Sequence, residues 1–89
     1  MTLFGPVGLL CDELRIRVPG LETNVRCPEG TLSNFLDVAR PGIGPRVIVW
    51  DRRRGVYRWK TGPDAGGQLG ADVGQAAAAV AVALGLSIL

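Results

Sequence analysis

The sequence predicts an α+β domain: an N-terminal helix, an antiparallel meander of three or four strands, and a C-terminal Ala-rich helix packed on one sheet face. Apolar residues recur at helical spacing near both ends of the chain, whereas the middle alternates with the period of two that is typical of strands. At 89 residues the chain is long enough for one core, so residues 1–89 should form a single small domain.

The composition is that of a folded protein with an unevenly placed charge. Apolar residues make up 47% and charged residues 20% of the chain, and the net charge is +2. Seven Lys or Arg residues and one Asp lie between Arg40 and Lys60, whereas the remainder has a net charge of −4. This local basic region is compatible with nucleic acid or another acidic partner.

The N-terminal segment predicts a helix over residues 6–17. Pro6 suits a first helical turn, and Pro19-Gly20 would stop the helix. A strand over residues 14–18 is the alternative, because that segment also alternates. The helix is preferred because its apolar stripe spans more residues. That stripe consists of Val7, Leu10, Cys11, Leu14 and Val18.

Two further strands are expected before the central hairpin. Residues 21–27 alternate, with Leu21, Thr23, Val25 and Cys27 on one face, and residues 28–30 form a turn. Residues 32–40 fit either a strand or a short helical turn, and the strand is preferred because it would complete a meander. Residues 41–45 are expected to be a loop that leads into a strand at Arg46.

Residues 46–61 predict the β-hairpin around which the chain is organised, with both tryptophans, the only tyrosine and six of the ten Lys and Arg residues. A four-residue loop over 52–55 would pair Asp51 with Val56, and Gly55 would supply a positive φ. A loop over 53–55 would instead mix the two faces, so the first register is preferred. It places Ile48, Trp50, Tyr57 and Trp59 on a buried face, and Val47, Val49, Asp51, Val56, Arg58 and Lys60 on the other.

The C-terminal part predicts a mobile loop and then a helix. Residues 62–70 are rich in glycine, Asp72 can cap a helix that runs to about Leu84, and Gly85 follows its end. The apolar tail over 86–89 should pack on the sheet or on a partner. The expected core stripe of the helix is Val73, Ala77, Val80 and Leu84.

The C-terminal helix is also a candidate contact surface, because residues 73–89 carry no charge. Alanine suits an exposed helix face through its helix propensity, but small side chains also let another backbone approach. The partner would be another protein or a second copy of this chain. A membrane partner is not expected, since seventeen residues are short for a span and alanine is weakly apolar. The candidate partner-binding residues are Ala76, Ala79, Ala83 and Leu86.

No residue pattern predicts catalysis, a metal or a cofactor. The chain has no histidine, which removes Ser-His and Cys-His pairs and the usual zinc sites. Cys11 and Cys27 are expected to be small buried side chains in a reducing cytoplasm, because the N-terminus lacks the features of a signal peptide. The glycines of 66–70 match neither phosphate-loop pattern and are expected to be a plain connection.

The leading hypothesis is therefore a non-enzymatic protein–protein interaction module, with self-association through the uncharged C-terminal helix as one form of it. The alternative is a small nucleic-acid-binding protein, because basic β-ribbons enter DNA grooves and aromatic side chains stack on unpaired bases. The tryptophans are expected to pack in the core rather than on bases. The candidate nucleic-acid-binding residues are Arg52, Arg53, Arg54, Arg58 and Lys60.

The layout resembles one group of bacterial proteins. A helix, Pro19-Gly20, LETNVRC, WDRRRGVYRW and GADVGQAAAAVAVALG follow one another in this chain. This order is similar to that of small uncharacterised proteins of high-GC actinobacteria and their phages, which often end in an Ala-rich helix after a Trp-bearing meander. The resemblance covers most of the chain and rests on layout and on Arg, Ala, Gly and Val bias. It implies a bacterial cytoplasmic setting and no particular activity.

Overall fold

The structure, a computed structural model, describes residues 5–27 and 34–89. Its five strands form one antiparallel sheet in sequence order, with a helix before and a helix after it, which confirms the α+β class. The expected turn over 28–30 and the first two residues of the expected second strand lie outside the described residues. The elements are α1 (Gly5–Arg17), β1 (Glu22–Arg26), β2 (Phe35–Arg40), β3 (Ile43–Asp51), β4 (Val56–Trp59), β5 (Gln68–Gly70) and α2 (Val73–Ala83).

Helix α1 is where the apolar stripe predicts it. It begins one residue before the predicted start and ends at the predicted residue. All five stripe residues are buried, and the backbone N–H of Val18 still donates to the carbonyl of Leu14 at 2.9 Å. The alternative strand over residues 14–18 is therefore wrong, because the longer helical stripe determines how this segment packs.

The central hairpin has the predicted register. Asp51 pairs with Val56, Trp50 with Tyr57, and Ile48 with Trp59. The backbone N–H of Gly55 donates to the carbonyl of Asp51 at 2.8 Å, and Gly55 has a φ of 65°. Glycine adopts this left-handed conformation at little steric cost, which lets the four-residue loop close. The pairing of Asp51 with Val56 shows that the alternative three-residue loop is wrong.

The aromatic face of the hairpin belongs to the core. Ile48, Tyr57 and Trp59 are buried, and both helices contribute to the same apolar cluster as these side chains. Trp50 is half-buried and meets the ring of Tyr57 edge-on at 4.8 Å between centroids. The helices therefore cover one face of the sheet, and no helix of the described ranges packs on the other, which is called the open face below.

Strand β3 begins earlier than predicted. It starts at Ile43 and contains Pro45, so the expected loop over 41–45 is reduced to a turn at Pro41-Gly42. The β2–β3 register shifts between Val38 and Arg40, where a β-bulge accommodates the extra β3 residue. A bulge leaves a ladder position unpaired and therefore tolerates a residue without an N–H.

The segment expected to be a mobile loop is tied to the sheet. Residues 68–70 form β5, which pairs with β4 as a fifth strand. Before it, the N–H of Gly66 donates to the carbonyl of Trp59 at 2.8 Å, and the N–H of Trp59 donates to the carbonyl of Gly67 at 2.9 Å. Three residues, one of them a glycine, carry almost no periodic signal, so only the exposed edge of β4 could supply this strand with a partner.

Helix α2 has the predicted caps at both ends. The side chain of Asp72 accepts a hydrogen bond from the N–H of Gln75 at 2.9 Å. At the other end Gly85 has a φ of 68°, and the N–H groups of Gly85 and Leu86 donate to Val82 and Ala81 in a Schellman motif. The four predicted stripe residues pack in or against the core.

The C-terminal tail docks beside α1. The N–H of Leu89 donates to the carbonyl of Arg17 at 2.6 Å, and the Nε of Arg17 donates back to the carbonyl of Leu89 at 2.9 Å. Leu86 and Ile88 pack against the edge of the core, whereas the side chain of Leu89 is exposed. The tail therefore contacts the end of a helix instead of ending free in solvent.

The two cysteines differ in environment. Cys11 is buried in the α1 stripe as expected, but Cys27 is exposed, so the prediction of two buried thiols is wrong for Cys27. Strand β1 ends at Arg26 and lies at the edge of the sheet, which leaves Cys27 beyond the last paired position. Both thiols are free.

Candidate nucleic-acid interface

Three arginines project from the loop of the central hairpin. Arg52, Arg53 and Arg54, called the basic tip below, are exposed. The carboxylate of Asp51 orders their backbone, because its Oδ1 accepts hydrogen bonds from the N–H groups of Arg53 at 3.0 Å and Arg54 at 3.2 Å. This local side-chain-to-backbone pattern holds a turn in one conformation. Asp51 therefore lowers the net positive charge of the loop and also orders its backbone.

Arg58 of β4 and Lys60, the residue that follows β4, continue the basic surface. Arg58 pairs with Val49, and the N–H of Lys60 donates to the carbonyl of Val47, so both side chains lie on the open face. The Nε of Arg58 lies 3.7 Å from the Oδ2 of Asp51, a long and part-exposed ion pair that contributes little. The guanidinium of Arg58 therefore keeps donors for a ligand.

The hairpin loop, Arg58 and Gly66 border an open hollow of about 610 Å³. Its lining residues are Asp51, Arg53, Arg54, Arg58 and Gly66. Within residues 5–27 and 34–89, the three side chains of the basic tip make no hydrogen bond or ion pair. Guanidinium groups present several N–H donors in a planar fork that matches phosphate and carboxylate oxygens. The hollow is therefore suited to an anionic group.

The hairpin aromatics are turned away from this surface. The hydroxyl of Tyr57 donates to the carbonyl of Pro6 at 2.5 Å on the core side of the sheet. Burial raises the pKa of Tyr57 above its ordinary value, and the negative charge of Asp72 raises it further. Trp59 is buried on the same side. Stacking of bases on these rings would require the core to open.

Phe35 is an aromatic residue on the open face, and sequence reasoning did not single it out. It pairs with Arg26, whose guanidinium carbon lies 5.7 Å from the ring centroid, while the Nζ of Lys60 lies 5.2 Å from the same centroid. Arg26 forms a two-pronged ion pair with Asp37, and these hydrogen bonds raise the pKa of Arg26 above its ordinary value. Only the β2 register shows which face Phe35 occupies.

Comparison with protein-family models, with curated proteins and with solved structures finds no match. The resemblance to actinobacterial and phage proteins therefore stays a prediction. Among the described residues, no helix is long and apolar enough to cross a membrane, and no three His, Cys, Asp or Glu side chains cluster as metal ligands would.

The C-terminal helix offers less surface than its composition indicates. Ala76 is fully buried, so its expected place at a partner surface does not fit this fold, whereas Ala79, Ala83 and Leu86 are half-buried at the edge of the core. Small side chains on the inner side let α2 lie close to α1 and the sheet, which explains much of the alanine content. The exposed apolar residue of α2 is Val82, with 80% of its surface accessible.

Proposed function

We propose that this protein is a non-enzymatic binding protein that contacts nucleic acid through the basic tip and the adjoining cations Arg58 and Lys60. One observation carries the proposal. Arg53, Arg54 and Arg58 converge on one hollow, and the tip side chains have no partner in the described part of the chain. Proteins contact phosphates mainly through such arginine and lysine donors.

A chain of phosphates fits this surface better than a single small anion. The cations extend from the loop down one face of β4, and Arg58 and Lys60 are two residues apart. Strand geometry separates such positions by about 7 Å. This distance is comparable to the separation of successive phosphates in an extended single-stranded nucleic acid. The expected setting is the cytoplasm, where nucleic acid is present.

The test is the salt dependence of binding to a fluorescently labelled single-stranded oligonucleotide, measured by anisotropy. If all five cations neutralise a phosphate, log K should fall against log salt with a slope of about −3.5, at about −0.7 per phosphate. Affinity should then fall about a hundredfold between 50 and 200 mM salt. The variant R52A/R53A/R54A keeps two cations, so its slope should be about −1.4 and its loss about sevenfold.

A matched pair of variants separates the site from general charge. Arg53→Ala and Arg15→Ala each remove one positive charge, but Arg15 lies on α1 and donates from its Nε to the Oγ1 of Thr23. Arg53→Ala should weaken binding and reduce the slope by about 0.7, whereas Arg15→Ala should leave both unchanged. Equal effects of the two variants, or binding that is insensitive to salt, would reject the proposal.

Protein–protein contact through the outer side of the helices is the second candidate function. Val82 is the observation that favours it, and Leu9 and Ile16 add exposed apolar surface two turns apart on α1. If two copies associate through this side, sedimentation should show a concentration-dependent dimer that Val82→Asp abolishes. A strict monomer at high concentration would remove self-association.

A further inference from the structure

We propose that Phe35 stacks on an unpaired base, so that the ligand of this protein is a single strand rather than a duplex. The inference rests on the proposed function and specifies its substrate class. It concerns the open face, to which the sequence pattern had assigned cations but no aromatic residue.

The sheet register places Phe35 in line with the cations. Phe35 pairs with Arg26 on one side. On the other side Leu36 pairs with Ile48, so the register extended by one residue sets Phe35 beside Val49, which pairs with Arg58. Arg26, Phe35, Val49 and Arg58 therefore form one row across four strands, on the face opposite the helices.

The ring of Phe35 does not belong to the core. It is half-buried and lies outside the apolar cluster that the helices cover. Two cations lie over the ring, and they differ in how firmly they are held. Arg26 is tied to Asp37 by two hydrogen bonds, whereas Lys60 is exposed and has no carboxylate partner within the described ranges. Lys60 is therefore the neighbour that a ligand can displace.

A base is the group best suited to take the place of Lys60 over the ring. Stacking of a base on an aromatic side chain is stronger than an exposed cation–π contact, so the exchange is favourable. The displaced ammonium group stays within reach of the phosphate next to the base. Adjacent strands are about 4.8 Å apart, which puts Arg58 about 10 Å from Phe35 across the face. One nucleotide can thus stack on Phe35 while its neighbours follow β4 towards the basic tip.

This geometry distinguishes single strands from duplexes. In a duplex each base has both faces covered by its neighbours, whereas a single strand can turn a base out onto a flat ring. Contacts of the basic tip with phosphates are available to both forms. A preference for single strands should therefore depend on Phe35, and the salt slope should not, because Phe35 carries no charge.

The experiment compares one labelled mixed-sequence oligonucleotide as a single strand and as a duplex, with the 89-residue chain in the same series of salt concentrations. Phe35→Ala should weaken single-strand binding about tenfold or more and leave duplex binding and the salt slope unchanged. Phe35→Tyr keeps a stacking ring and should restore the single-strand preference, whereas Phe35→Leu keeps bulk without a ring and should not.

Three results would overturn the inference, and they separate it from the proposed function. If R52A/R53A/R54A loses binding while Phe35→Ala and Phe35→Leu bind like the wild type, stacking is wrong and the basic interface stands. If Phe35→Leu weakens both forms equally with a lowered melting temperature, Phe35 is structural. If the wild type binds neither form at low salt, the proposed function and the inference fall together.

Discussion

The two tryptophans of the hairpin provide a matched test of the core assignment. Trp59 keeps 3% of its surface exposed and also lies under the guanidinium of Arg46, 5.9 Å from its ring. A buried tryptophan removes roughly 150–250 Å² from water, which corresponds to about 4–6 kcal/mol at 25 cal/mol per Å². This transfer free energy is an upper bound, because alanine still buries part of the area and the compact unfolded state already buries some of it. Trp59→Ala should therefore lower the free energy of unfolding by about 3–5 kcal/mol.

Trp50 lies on the same hairpin and the same face but is only half-buried, against the edge of Tyr57. Trp50→Ala should therefore lower the free energy of unfolding less, by about 1–3 kcal/mol.

Urea unfolding followed by far-UV circular dichroism measures both variants without relying on tryptophan fluorescence. A domain of this size loses about 4–8 °C of melting temperature per kcal/mol, so Trp59→Ala should melt at least about 12 °C below the wild type. If this variant is unfolded at 25 °C, Trp59→Phe supplies the comparison with a smaller loss. A midpoint for Trp59→Ala that equals or exceeds that of Trp50→Ala, with the same denaturant slope, would refute the assignment of Trp59 to the core.

Two further predictions concern a buried phenol and a helix cap. The raised pKa of Tyr57 means that the folded state favours the neutral phenol, so this contribution to stability is complete below the unfolded pKa of about 10 and is lost as pH rises through the folded value. Tyr57→Phe removes the hydrogen bond to Pro6 and should lower the free energy of unfolding by about 0.5–1.5 kcal/mol at pH 7. In melting curves above pH 10, the stability of this variant should decline less than that of the wild type. An identical decline would contradict a raised pKa for Tyr57. Asp72→Ala should lower the free energy of unfolding by about 0.5–2 kcal/mol in urea titrations. Asp72→Asn can still cap the helix and should stay near the wild type. If both variants lose the same stability, the charge of Asp72 matters rather than the cap.

Features with a local physical cause were predictable from the sequence. The α1 stripe, the caps of α2 and the four-residue hairpin loop each depend on residues within one turn or one strand pair. Gly55 and Gly85 illustrate this, since both take a positive φ that a neighbouring hydrogen bond requires. The face that Arg58 and Lys60 share was predictable for the same reason, because period-two alternation assigns both to one side of the strand.

Features that depend on a distant partner were not predictable. The three residues of β5 form a strand because β4 offers a free edge, and β3 extends to Ile43 because a bulge accommodates Pro45. Cys27 is exposed because the paired part of β1 stops one residue before it. None of these outcomes is encoded in the few residues involved.

By itself the sequence determined that the hairpin separates an aromatic face from a basic one, since period-two alternation and one loop glycine suffice for that. Only the tertiary structure decided how each face is used. Packing of both helices on one side buries Trp59 and Ala76, and pairing of β2 with β1 and β3 brings Phe35 to the open face beside Lys60. The physical reason is that alternation records which residues share a face, whereas burial and neighbourhood depend on contacts between segments far apart in the chain.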